Sequence, residues 1–350
     1  LAESPERIEG LVMARKNPPS STPFAGHLLE GTSVDPRKKQ DPTELRKADA
    51  ILVGDIHSTL RQPICRTDDF GAALFAKLYF IRSLQAQHGC PVLQPGDFMD
   101  RWYLGKGEQW LMTELIKLVE NYICVPGQHD LPQHNLDLYH LSSLALLEET
   151  WHINVLKNDG FCHIEDDIRV EGFPWGSKPM EFPRRKGGYK RVIALIHRMT
   201  YLSKPPYPGA DIDGGNVESL MSTMKGFDLI LTGDNHETFI SYDSDINQLL
   251  VNPGSLMRST AKQMDHEPCC YLWFAEENDI ERVIIPHAQG VVTREHIDIK
   301  GDRDERIQNF VKYLEGEVDL DLSFRENVLR HIKKNKITQP VEEILLEVLE

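Results

Sequence analysis

Five short polar clusters recur along the 350 residues, each directly after an apolar run. They are Asp55-Ile56-His57, Gly96-Asp97-Phe98-Met99-Asp100, Gly127-Gln128-His129-Asp130, His197 at the end of Val192–His197, and Gly233-Asp234-Asn235-His236. Carboxylate oxygens and imidazole nitrogens are the donors that divalent cations take. Hydrolysis of a phosphoester needs a nucleophilic hydroxide, neutralisation of the phosphate oxygens and help for the leaving group. Two cations about 3.5–4 Å apart supply the first two. One carboxylate must then bridge both ions, and Asp97, in a tight turn after Gly96, is the candidate. Asp55 and His57 alternate along what reads as an extended segment, so their side chains point the same way and suit one ion. A lone D-x-H arises by chance in many chains, whereas five clusters in order are strong evidence.

Clusters so far apart meet only if strands deliver them to one place. In open α/β sheets, ligands bind beyond the carboxyl ends of the strands. Apolar composition predicts strands at Ala50–Val53, Pro91–Leu93 and Ile123–Val125. Helical spacing predicts helices over Phe70–Gln87, Glu108–Asn121 and Asn135–Glu149. This alternation argues for α/β layering. Strands follow near Ile153–Leu156, Gly160–Ile164 and Ile168–Gly172, and the second half is richer in them: Val192–Ile196, Leu229–Leu231, Thr238–Ser241, Leu249–Val251, Tyr271–Phe274 and Arg282–Ile285. A helix is expected over Val217–Lys225. Residues 1–48 read as an N-terminal extension and linker, 49–290 as the phosphoesterase domain, and 291–350 as a charged helical tail.

Composition narrows the class. Hydrophobic residues make up 40% and charged ones 27%, the profile of a soluble globular protein. No apolar run approaches the ~20 residues of a membrane helix, and the first residues lack a signal-peptide profile. The six scattered cysteines lack zinc-knuckle spacing and read as reduced thiols of a cytoplasmic protein. A net charge of −15 gives no global attraction for polyanions. Nucleic acid would need a local contact, and Arg184-Arg185-Lys186, leading into the His197 strand, is the basic stretch available. Its plain reading is a solvated loop; its functional reading is a phosphate-backbone contact. His266 could approach the site from the loop after Pro253. Trp102, Tyr103 and Trp110 read as core or pocket wall, with base stacking as the alternative.

The motif order resembles the calcineurin-like metallophosphoesterases, whose pattern is D-x-H, G-D-x-x-D, G-N-H-[DE], H and G-H-x-H. The resemblance spans roughly residues 50–275. It implies a four-layer α/β/β/α sandwich with two central mixed β-sheets, and two divalent metal ions. Asp55, His57, Asp97 and His236 would hold one ion; Asp97, Gln128, His197 and Asp234 the other. His129 would act on the scissile phosphate as a general acid or charge stabiliser. Asp130 would orient His129 through its other ring nitrogen, and Asp100 would support the ligands. Two positions depart from the family: Gln128 stands where Asn is usual and Asp234 where the first His is usual. Both fall on the same ion. Oxygen-rich sites favour harder cations, so Mn²⁺ is expected, with Mg²⁺, Fe²⁺ or Zn²⁺ as alternatives. The rival expectation is a degenerate second site in a non-catalytic binding protein.

Within the superfamily the chain resembles the DNA-repair nucleases of the SbcCD nuclease-subunit type. Gly127-Gln128-His129-Asp130, the Pro-Gly-Ser within Val251–Arg258, and Arg61–Asp69 carry that likeness. It implies a DNA exo- or endonuclease, an SMC-like ATPase partner and a homodimer, with the tail either docking that partner or packing on its own domain. Asp100-Arg101 also resembles the protein serine/threonine phosphatases, which would make Arg101 a phosphate contact, although Trp102 replaces their usual glycine. A deep, narrow pocket would favour a protein or small-molecule phosphatase. An open groove beside Arg184–Arg191 would favour nucleic acid.

Overall fold

The computed structural model describes residues 46–157, 160–182, 188–206, 210, 215–297 and, near the end, 324–335, 337, 339, 341 and 345. Those from Lys47 onward belong to one compact unit. Arg184, Arg185 and Lys186, most of the expected extension and much of the expected tail lie outside the described residues.

The first half supplies β1 (Ala50–Leu52), α1 (Phe70–His88), β2 (Val92–Gln94), α2 (Gln109–Leu118), β3 (Tyr122–Cys124), α3 (Ser143–Glu148) and β4 (Ile153–Val155). The second supplies β5 (Phe161–Ile164), β6 (Ile168–Phe173), β7 (Arg191–His197), α4 (Val217–Thr223), β8 (Leu229–Gly233), β9 (Phe239–Asp243) and β10 (Gln248–Asn252). Strands β11 (Cys269–Phe274) and β12 (Asp279–Ile284) and a helix α5 (Phe324–Lys334) follow. One sheet runs β12-β11-β1-β2-β3-β4 and the other β5-β6-β7-β8-β10-β9. Both are mixed. Strands β1 to β4 pair in parallel while β11 joins β1 antiparallel, and β6, β7, β8 and β10 pair in parallel between antiparallel edges β5 and β9.

Alternation of side chains along each strand creates three cores. Ala50 and Leu52 of β1 face a core shared with Ile193 and Leu195 of β7, Leu229 and Leu231 of β8, and Trp273 of β11, so the two sheets pack face to face. Ile51 and Val53 point the other way, into a core with Leu74, Leu78 and Ile81 of α1, Leu115 of α2 and Leu144 of α3. Val192, Ala194 and Ile196 of β7 turn outward against Leu220 and Met221 of α4. Helices, sheet, sheet and helix therefore stack as the four-layer α/β/β/α sandwich expected from the resemblance. Burying each large side chain contributes about 1.5–3 kcal/mol, so the inter-sheet core fixes how the strand ends of the two sheets meet.

Local chemistry sets the element ends. Asp69 starts α1 by accepting from Ala72 N at 2.9 Å, and Gly89, at φ 73°, closes it. The single helix expected over 135–149 is instead two pieces, a 3₁₀ turn at Leu136–Leu141 and then α3. The side chains of Asn135 and Ser142 each cap a new start, accepting from Asp137 N and Ala145 N, and so divide an apolar pattern that reads as continuous.

Candidate metal centre

The five clusters do meet. Asp55 and His57 lie just beyond β1, Asp97 beyond β2, and Gln128 and His129 beyond β3. His197 is the last residue of β7, and Asp234 and His236 follow β8. Each sheet thus delivers part of one site. His57 is not extended as its spacing implied: its φ is 47°, and Asp97 and Asp234 are also left-handed at 51° and 79°. Three proposed ligands in a sparsely populated region mark a place where the fold holds the backbone against its preference.

Two glycines leave the room this requires. A Cβ on Gly96, at φ 110°, would come within 2.3 Å of His197 Nδ1. A Cβ on Gly127 would come within 2.2 Å of Asp97 Oδ1. The Asn252–Arg258 segment braces the ligand loops from behind. Asn252 Nδ2 donates to the carbonyls of Asn235 and Glu237 at 2.7 and 2.5 Å, and Leu256 N donates to Asp55 O at 2.7 Å.

At the centre is Asp97, fully buried. Its Oδ1 accepts from His129 N at 2.8 Å. Its Oδ2 has no hydrogen-bond partner and lies 3.7 Å from His57 Nε2 and 3.4 Å from His197 Nε2. Asp55 is also buried, with Oδ2 accepting from Asp234 N at 2.9 Å and lying 3.5 Å from His236 Nε2, while its Oδ1 has no partner. The Nε2 atoms of His57 and His236 are 3.1 Å apart. Ligand atoms of Asp55, His57 and His236 lie within 4.8 Å of one another, and so do those of His57, Asp100 and His129.

On the other side, His197 Nδ1 bonds to Pro95 O at 2.7 Å, which turns Nε2 inward. That Nε2 lies 2.5 Å from Gln128 Oε1, and Gln128 Nε2 donates to Asp234 Oδ1 at 2.7 Å. With the His197 ring proton on Nδ1, two lone-pair atoms face each other across 2.5 Å. With Gln128 Nε2 committed to Asp234 Oδ1, a cation or a second ring proton reconciles them.

The electrostatics agree. Burial lifts the Asp55 carboxyl well above its ordinary range, and Asp97 and Asp234 add to it against His197. Burial would raise Asp97 too, but His197 and then His57 outweigh it and hold it below the ordinary range. Burial would lower His197, yet Asp97, Asp55 and Asp234 push it up to about 10. Burial takes His57 down to about 3 against the pull of Asp97. Three carboxylates thus converge on one protonatable imidazole, and buried oxygens are left without partners. Divalent cations fit this donor set: they would occupy the orphaned lone pairs and offset the charge.

Two expected roles change. His129 Nδ1 bonds to the backbone carbonyl of Asp100 at 2.8 Å, not to Asp130. Asp130 is fully buried and accepts from Phe98 N, Met99 N and Gly127 N at 3.2, 2.8 and 2.9 Å. It clamps the second ligand loop to the third. Burial and then Asp97 push its carboxyl up to about 7. Arg101 lines no part of the cavity beside the ligands; its guanidinium lies 3.4 Å from Glu108 and 3.8 Å from Asp100, with Tyr103 beneath it. Trp102, Tyr103 and Trp110 are exposed, not core.

That cavity has a volume of about 430 Å³. Asp97, Gln128, His129, Asp234 and His236 line it together with Met199, Glu237, Lys262, Gln263 and His266. His266 therefore does approach the site, its Nε2 fixed to Ser255 O at 2.7 Å. Glu237 and Lys262 gave no sequence signal, since neither sits in a motif; the nearest cue was the position of Glu237 directly after His236.

No protein-family model and no curated protein matches this chain. Solved structures do resemble it. One is TT1561 of Thermus thermophilus, at 14% identity and a TM-score of 0.43, covering 69% of this chain and 100% of that one. Another is a 5'-nucleotidase precursor from Thermus thermophilus, at 10% identity and a TM-score of 0.39, covering 67% of this chain and 54% of that one.

Proposed function

We propose that this chain is a two-metal phosphoesterase. The observation that carries it is Asp97 Oδ2, buried, without a partner, and facing Nε2 of His57 at 3.7 Å and of His197 at 3.4 Å. Asp97 with Asp55, His57 and His236 would hold one divalent cation, and Asp97 with Gln128, His197 and Asp234 the other. When bound, divalent ions, Mn²⁺ foremost, would supply the activation of water and the charge neutralisation that phosphoester hydrolysis needs. The chain's own residues supply the rest. His129 lines the cavity with Nδ1 tied to Asp100 O, so Nε2 is the atom that can carry a proton to the leaving oxygen. Lys262, which also lines the cavity, offers a positive charge to the substrate's negative one.

The phosphodiester of DNA is the first substrate in this reading, because the GQHD and Pro-Gly-Ser segments resemble the DNA-repair nucleases. The cavity volume fits a strand end or a nucleotide better than a continuous duplex. The same volume favours the second reading, a phosphatase acting on a nucleotide-sized ester. An SMC-like ATPase partner, a homodimer and a cytoplasmic setting go with the nuclease; the six free cysteines accord with that setting. No described helix is long and apolar enough to cross a membrane.

The test is hydrolysis by purified protein with Mn²⁺, with Asp97→Ala as control, on labelled single- and double-stranded DNA and on a chromogenic phosphate ester. DNA cleavage lost in the variant supports the nuclease. Ester hydrolysis without DNA cleavage moves the chain to the phosphatases. Silence on all three, with no Mn²⁺ bound, overturns the enzyme reading.

A further inference from the structure

The two residues that depart from the family pattern touch each other. Gln128 follows β3 and Asp234 follows β8, on different sheets, yet Gln128 Nε2 donates to Asp234 Oδ1 at 2.7 Å. The same amide presents Oε1 to His197 Nε2 at 2.5 Å. An amide has one acceptor end and one donor end. If it turned over, its NH₂ would face His197 and the Asp97 carboxylate, and a cation there would meet hydrogens. Asp234 is the described group that bonds the NH₂ and so holds the oxygen inward. Gln reaches one methylene further than Asn, and Asp is smaller than His, so the space taken at one position is released at the other. Asp234 also reaches the first cation position, since its N–H donates to Asp55 Oδ2 at 2.9 Å.

We propose that Gln128 and Asp234 form one coupled unit, in which Asp234 is a positioning residue that fixes the amide of Gln128 oxygen-inward toward the second cation, so that neither can be exchanged alone. The inference rests on the two-cation reading and concerns how the second ion is held. It predicts that the two departures mark an intact second site and not a decayed one. Partners that orient a metal ligand typically change affinity by about 10–100-fold.

The test is a double-exchange cycle read by metal binding and not by turnover. Wild type, Gln128→Asn, Asp234→His and the double variant are stripped of metal, and Mn²⁺ binding is followed by titration calorimetry. Electron paramagnetic resonance then detects the spin coupling of two neighbouring Mn²⁺ ions, and melting of the stripped proteins confirms that all four fold. Should Asp234→His not fold, Gln128→Asn and the double variant still carry the comparison, since the second exchange must restore what the first removes. Two coupled ions are expected in wild type. Each single exchange should weaken the second ion about 10–100-fold and erase the coupling signal, and the double exchange should bring both back. If the single exchanges leave two coupled ions, or the double variant loses as much as the two singles multiplied, the coupled unit is wrong while the phosphoesterase reading stands. If wild type binds fewer than two ions, both fall.

Discussion

Lys77 offers a test of the electrostatics that is independent of any bound metal. It sits in α1 on the buried face, only 3% exposed, with Nζ donating to Leu256 O at 2.6 Å. Burial, then the neighbouring Arg66 and Arg258, lower its ammonium from 10.5 to about 7, and Asp68 opposes them weakly. Below pH 7 both folded and unfolded chains hold the proton, and the cost of a buried ammonium is present in full. Between about 7 and 10.5 the unfolded chain keeps a proton that the folded chain has shed, so stability climbs with pH. About three and a half pH units at ~1.4 kcal/mol each set a ceiling of about 5 kcal/mol. Lys77→Met removes the ammonium but leaves the Leu256 carbonyl without its donor, which costs about 1–3 kcal/mol. The variant should therefore be the more stable protein at pH 6 and the less stable one at pH 10.5. Urea unfolding of both proteins across that range gives the difference directly, and shared contributions from other groups cancel. A difference that stays flat with pH would show that Lys77 keeps its proton when folded, and the assignment of burial as the dominant cause would be wrong.

Other outcomes follow from the same geometry. Asp97→Ala should lose both ions by calorimetry and all hydrolysis, because it removes the oxygen that faces both imidazole sets. His129→Ala should keep the ions and lose about 10²–10⁴-fold in turnover; loss of the ions instead would refute its role in proton transfer. Gly96→Ala places a Cβ 2.3 Å from His197 Nδ1, so it should displace that ring, weaken the second ion and lower the melting temperature. Asp130→Ala strips acceptors from three buried N–H groups at about 1–3 kcal/mol each, a large share of an ordinary domain's stability of about 5–15 kcal/mol, so its melting temperature should fall steeply. Asp130→Asn, with one carbonyl oxygen left, should melt between the two.

What could be read from the sequence was whatever a side chain announces. The apolar runs of β1, β2, β3, β7 and β8 and the polar side chains after them are local signals, and the structure brings those side chains together. What escaped was set by the backbone or by distant partners. The role of Asp130 depends on N–H groups of Phe98, Met99 and Gly127, which every sequence carries at every position. The His129 ring is held by the Asp100 carbonyl, equally silent in sequence. The left-handed φ of His57 breaks the alternation its spacing implied, because tertiary bonds from Ile56 N and His57 N to Asp97 O bend the segment. The pairing of β1 with β11 is non-local, and no periodicity encodes it. The break before α3 was visible in Asn135 and Ser142, but capping residues read correctly only when an apolar pattern is not already claiming the whole stretch.

The division of the ligands between the sheets joins folding to chemistry. Asp55, His57, Asp97 and Gln128 come from the first sheet; His197, Asp234 and His236 from the second. Several bonds that cross this seam involve the site's own side chains: His197 to Pro95, Asp234 to Asp55, and Gln128 to Asp234. The inter-sheet core, with Leu52, Leu195, Leu231 and Trp273, sets the seam's width, so it would also set the distance between the two proposed cation positions. The seam is the least comfortable part of the molecule without cations, since three carboxylates and several unpartnered buried atoms meet there. A pair of ions would tie the two sheets together at that edge and relieve the repulsion. Because ions bound only by the folded state stabilise it by about 2.7 kcal/mol at a hundredfold excess over their dissociation constant, the proposed ions would hold the sandwich closed through the same contacts that arrange the chemistry.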